Sequence, residues 1–156
     1  MKSVGQIVVL KPLLVVLFAA SLLVVMTGCS DGRGNRIPVV GIVTIDGDPL
    51  KFGSVTFMPE THGDGLRAGG GSLDSEGRFS ISSYTPGDGL LIGSYNVQVR
   101  AVEPIDSSSQ RWHAPRKYAK TNTSNLKAEI NAETKELKFE LSWDGEDPSE
   151  PFVEKF

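Results

Sequence analysis

With one cysteine and two histidines in 156 residues, the chain lacks the usual parts of several chemistries. The lone Cys29 excludes an internal disulfide framework, and zinc sites built on Cys pairs go with it. Only His62 and His113 are left for imidazole chemistry. From Ile37 onward no long stretch keeps a helical period, and the 13 Gly and 8 Pro of that region recur too often for one. Clustered positive charge is also wanting: Lys and Arg read as singly scattered, so no nucleic-acid partner is expected, and no residue stands out as catalytic.

What is present starts with an exported N-terminus. Lys2 and Lys11 precede an uncharged run, Leu13 to Met26, in which Ser21 is the only polar residue. Those 14 residues rise about 21 Å as a helix, short of a ~30 Å hydrocarbon core. Residues 1–28 therefore read as a signal peptide, with an uncleaved anchor helix as the lesser alternative. Met26-Thr27-Gly28-Cys29 then sets two small residues directly before the only cysteine.

That arrangement resembles the lipobox of bacterial lipoprotein signal peptides, with Met26 where Leu is usual. The resemblance implies cleavage between Gly28 and Cys29 and acyl chains such as palmitate on Cys29. Two or three chains anchor stably, since each buried methylene contributes about 0.8 kcal/mol and one chain alone is marginal. The expectation is a membrane-attached protein of the bacterial cell envelope, on its periplasmic or surface face. Without Lys2 and Lys11 the chain holds 14 basic and 19 acidic residues, a net charge near −5. Residues 29–36, polar and Gly-containing, read as a tether.

Residues 37–142 read as an all-β domain. In Tyr95 to Ala101 every second residue is apolar, as a strand with one buried face requires. Leu126 to Ile130 and Leu137 to Leu141 repeat the alternation, and the short link between them predicts an antiparallel hairpin. Val39 to Ile45 and Ser54 to Met58 flank Asp46-Gly47-Asp48-Pro49-Leu50, the chemistry of a hairpin or tight corner. Ala68 to Leu73 and Arg78 to Ser82 flank a second turn, Asp74-Ser75-Glu76-Gly77. Seven short strands predict a two-sheet sandwich. Its core should hold Val39, Val43, Ile45, Val55, Phe57, Leu73, Phe79, Ile81, Tyr95, Val97, Val99, Leu126, Ile130, Leu137, Phe139 and Leu141. The tail, 143–156, is acidic, carries Pro148 and Pro151, and reads as irregular.

The order Val39-x-Gly41-x-Val43, Asp46-Gly47-x-Pro49-Leu50, Gly53-x-Val55-x-Phe57, Asp74-x-x-Gly77-x-Phe79-x-Ile81, Pro86-Gly87 and Gly93-x-Tyr95-x-Val97-x-Val99 resembles the carboxypeptidase regulatory-like domains. The resemblance implies a transthyretin-like (prealbumin-like) sandwich and, with a lipobox before it, a small bacterial envelope lipoprotein. Such domains are usually non-catalytic accessory or adhesive modules, and turn-and-strand motifs specify fold, hardly activity. Enzymes of the wider fold carry other signatures. Transthyretin-related hydrolases end in Tyr-Arg-Gly-Ser and use several His, whereas this chain ends Val153-Glu154-Lys155-Phe156. Intradiol dioxygenases need a His-x-His pair, and His62 and His113 lie in separate loops. No catalytic residue and no cofactor carries over.

The long connection Glu103 to Thr123 holds the best binding candidates. Trp112 and Tyr118 have the surface to stack on a glycan or peptide, with Arg111 and Arg116 fixing a carboxylate. The sequence favours the alternative that Trp112 and Tyr118 fold back over the open end of the sandwich. Asp46, Asp48, Asp74, Glu76 and Asp88 offer oxygens to calcium, but their spacing fits no EF-hand and Asp-Gly turns arise for backbone reasons, so no metal is expected. Gly69 to Gly71 read as a bulge or mobile edge. The expected function is a structural or protein- or glycan-binding module. The alternative is a small envelope enzyme or carrier with its site in the same loop.

Overall fold

The computed structural model describes residues 34–63, 65–145 and 153–155. The expected signal peptide, the expected cleavage position at Gly28 and Cys29, and most of the expected tether lie outside the described residues. No helix among the described residues is long and apolar enough to cross a membrane.

The chain folds as an all-β sandwich. Its strands are β1 (Val40–Ile45), β2 (Asp48–Pro49), β3 (Ser54–Pro59), β4 (Gly69–Ser72), β5 (Arg78–Ser80), β6 (Gly93–Arg100), β7 (Val102–Pro104), β8 (Ser109–Trp112), β9 (Leu126–Ile130), β10 (Glu136–Leu141) and β11 (Val153–Lys155). The seven expected strands are β1, β3, β4, β5, β6, β9 and β10. In one large sheet β1 is central, parallel to β10 on one side and antiparallel to β5 and β2 on the other. The second runs β4-β3-β6-β9, antiparallel throughout. A small third sheet, β11-β8-β7, is made by the long connection and the tail.

The two large sheets meet through their apolar faces. Phe57 of β3 lies 6.1 Å from Phe79 of β5 and 6.0 Å from Phe139 of β10, centroid to centroid, and 6.3 Å from Tyr95 of its own sheet. The alternation of β6 buries Tyr95, Val97 and Val99 on this face. All sixteen expected core residues are in the cluster, with Ile45, Leu73, Leu126 and Leu137 only partly buried at its margin. The buried Tyr95 hydroxyl donates to the Leu91 carbonyl at 2.9 Å, and burial pushes its pKa up against the opposing pull of Arg36.

One connection differs from the expected pairing. Leu126–Ile130 and Leu137–Leu141 form no hairpin: β9 pairs with β6 in one sheet and β10 with β1 in the other, so the link between them crosses the sandwich. Alternation marks one buried face per strand, and strands of opposite sheets satisfy it as well as neighbours do. The turn after β1 is, as expected, a hairpin at Asp46-Gly47 into β2, after which the chain passes Leu50, which is buried, and corners to β3 in the other sheet. The turn at Asp74 to Gly77 also switches sheets, and its Asp74 carboxylate accepts the Glu76 and Arg78 N–H groups, each at 2.8 Å. Gly69 to Gly71 are part of an edge strand, where a Cβ on Gly71 would collide with the Ser80 carbonyl as β4 and β5 cross. The tail is not irregular throughout, because Val153–Lys155 pairs antiparallel with Ser109–Arg111 of β8.

The tether ends earlier than expected. Arg36 is largely covered and pairs with Asp88 at 3.5 Å, and Ile37 bridges Leu90. Burial pushes the Asp88 carboxyl up, but the Ser83, Tyr84 and Thr85 N–H groups and the Arg36 guanidinium outweigh it and hold its pKa below the ordinary value.

Candidate functional site

Between the end of β6 and the start of β9 the chain leaves the sandwich and returns. It turns at Asp106, whose carboxylate accepts the Ser108 N–H at 2.8 Å and the Ser109 hydroxyl. These hydroxyl and N–H donors hold the Asp106 carboxyl below its ordinary range. After β8 come a 3₁₀ turn, Arg116–Ala119, and a single helical turn, α1 (Thr121–Ser124). Asn125 then takes a left-handed conformation, φ 55°, which its side chain tolerates better than most, and the chain enters β9.

Apolar and polar anchors tie this excursion to the core. Ala114 and Tyr118 are buried in the main cluster. The Tyr118 hydroxyl accepts the Ser142 N–H at 3.1 Å, and the buried Ser124 hydroxyl donates to the Val97 carbonyl at 2.5 Å. The excursion is therefore a fixed rim and not a free loop.

A cavity of about 480 Å³ opens on that rim, lined by Arg100, Gln110, Trp112, Arg116, Lys117, Ala119, Lys120 and Thr123. The period of β8 accounts for part of the lining, since Gln110 and Trp112 are two residues apart and share a face. The Arg100 and Arg116 guanidinium carbons lie 5.7 and 5.4 Å from the Trp112 ring centroid, within cation–π range. Lys117 pairs with Asp144. The Trp112 Nε1–H is buried and has no acceptor.

The sequence candidates separate here. Trp112 and Arg116 meet at the cavity. Arg111 does not line it: its guanidinium lies 3.8 Å from Glu103, whose carboxylate also meets His113 at 3.0 Å, and His113 in turn lies against Phe52. Tyr118 is covered, with a hydroxyl engaged at Ser142, so it serves the core. Sequence reading missed Arg100, Gln110, Lys117, Lys120 and Thr123. A signal for the cations existed: residues 107–128 hold Arg111, Arg116, Lys117, Lys120 and Lys127 and no acid, so the positive charge is not singly scattered.

Among the described residues no group of three His, Cys, Asp or Glu is placed to hold a metal ion. Asp88 engages both carboxylate oxygens with backbone N–H groups, Asp74 accepts two through Oδ1, and Asp46 accepts the Trp143 N–H at 3.4 Å. No protein-family model matches the chain, and no curated protein or solved structure gives a significant match to it.

Proposed function

We propose that this chain is a lipid-anchored, non-catalytic binding module of the bacterial envelope, with its recognition surface on the excursion between β6 and β9. The observation that carries the reading is the cation-lined cavity beside Trp112, built on a rim that Ala114, Tyr118 and Ser124 fix to the core. A rigid scaffold that presents an aromatic and several cations at one concave place suits selective binding. The run Leu13 to Met26 followed by Thr27-Gly28-Cys29 supports a membrane anchor at Cys29, and the order of turn and strand motifs supports a carboxypeptidase regulatory-like scaffold. The partner is an envelope glycan or protein.

The test uses the full chain in a bacterial host. Intact mass and detergent partition of the wild type are compared with Cys29→Ala, and envelope components are cross-linked and captured with wild type and with Trp112→Ala/Arg116→Ala. An acyl mass lost in Cys29→Ala and a partner lost in the double variant are expected. A water-soluble, unacylated wild type refutes the anchor. Capture that the double variant leaves intact refutes the binding surface, and turnover that it abolishes makes the protein an enzyme.

A further inference from the structure

Positive charge gathers at one place on a negatively charged chain. The cavity wall holds Arg100, Arg116, Lys117 and Lys120, and no acidic side chain among the described residues lines it. Lys117 is balanced by Asp144, whereas neither Arg100 nor Lys120 meets a carboxylate among the described residues. Like charges crowded around a concavity repel one another, and an oxyanion entering it relieves that repulsion.

Trp112 contributes to the same wall, and its indole N–H is shielded from water with no acceptor among the described residues. The same wall holds Gln110, Trp112 and Thr123, whose hydroxyl donates to the Lys117 carbonyl at 2.6 Å and can still accept. Cations to read an acid, neutral polar groups to read hydroxyls and an aromatic surface for a ring together describe an acidic sugar better than an acidic peptide. A cavity of about 480 Å³ is of the size that holds a small ligand.

We propose that the cavity binds an acidic saccharide, whose carboxylate or phosphate is held by Arg100 and Lys120, with Trp112 beside them in the wall. The proposal rests on the reading of the excursion as the binding surface and names the ligand class that surface takes.

The test uses the full chain in neutral detergent on a Trp143→Phe background, which leaves Trp112 as the only tryptophan. Its emission is followed while glucuronate, glucose 1-phosphate, glucose or tri-glutamate is added. A saturable change is expected with glucuronate or glucose 1-phosphate and not with glucose, and the stronger of the two distinguishes carboxylate from phosphate. Arg100→Gln and Lys120→Gln should each weaken it at least about tenfold, equivalent to about 1.4 kcal/mol. Raising the salt should weaken it further in the unsubstituted background, a readout that needs no cavity variant to fold. An equal response to glucose, or a tighter one to tri-glutamate, overturns the acidic-saccharide assignment. So does no saturable response at all. In that last case, partner capture lost in Trp112→Ala/Arg116→Ala leaves the binding-module reading standing, and capture unchanged takes both down.

Discussion

Phe57 is the ring at which the two large sheets meet, and its coupling to Phe139 measures whether they meet as described. Phe57 is fully buried on β3, and the Phe139 ring of the opposite sheet lies 6.0 Å away at an interplanar angle of 63°. Edge-on pairs of this kind contribute about 0.5–1.5 kcal/mol beyond the area they bury. Phe→Leu at either position keeps an apolar group of similar volume and should cost about 1–1.5 kcal/mol. Either single change already removes the ring–ring contribution, and the double variant does not lose it twice. The double variant should therefore be about 1 kcal/mol less destabilised than the sum of the singles, a coupling well above the ~0.3–0.5 kcal/mol scatter of independent sites. A domain with about 5–15 kcal/mol of stability remains folded in all three variants. Urea unfolding followed by circular dichroism gives the four free energies, with an unchanged m-value as the sign that the unfolded reference has not moved. Additivity within that scatter would refute the face-to-face packing of β3 against β10.

Gly41→Ala should destabilise by about 1–3 kcal/mol, because the new Cβ would run into the Leu137 carbonyl and the Phe79 ring where β1 lies between β10 and β5; a melting temperature equal to wild type would contradict that register. Asp88 carries a pH signature. Its folded pKa lies below the ordinary 3.8, so its contribution is fully present above that value and is lost as pH falls through the lower folded one. Asp88→Asn should accordingly flatten the fall in unfolding free energy from roughly pH 4 downward, and an unaltered acid limb would remove Asp88 from the account. Tyr118→Phe should cost about 1–3 kcal/mol by leaving the Ser142 N–H without its acceptor, whereas a neutral result would mean that water replaces the hydroxyl.

The faces of the strands were legible and their partners were not. Tyr95, Val97 and Val99 announce a buried face by simple alternation, and all the apolar positions so identified line the core. Alternation contains no information on the neighbour, so β9 and β10 read as a hairpin although their apolar faces point at each other from opposite sheets. Leu90 escaped because it lies outside any alternating run, held by a bridge to Ile37. The cavity was half legible. Trp112 and Arg116 stand out by residue type, but Arg100 belongs to a strand whose exposed positions are otherwise unremarked, and only the return of the excursion brings it beside Trp112. Arg111 misled, since the two-residue period of β8 that turns Gln110 and Trp112 to the cavity turns Arg111 to Glu103.

A chain with a net charge of −3 is on that count alone a poor host for an anion, and the geometry resolves the conflict through distance. At physiological salt the screening length is about 8 Å, so acids elsewhere on the sandwich act weakly on a ligand already inside the cavity. The cations in its wall act at contact range, and Arg100 and Arg116 lie 5.7 and 5.4 Å from the Trp112 ring centroid. The same distances set the kinetics. With no long-range attraction to guide an anion toward the chain, association should show little electrostatic steering, and selectivity should reside in dissociation. That division follows from sequence: the cations of residues 107–128 stand apart from the acids along the chain, and Ala114 and Tyr118, by docking on the core, turn segregation along the chain into segregation in space.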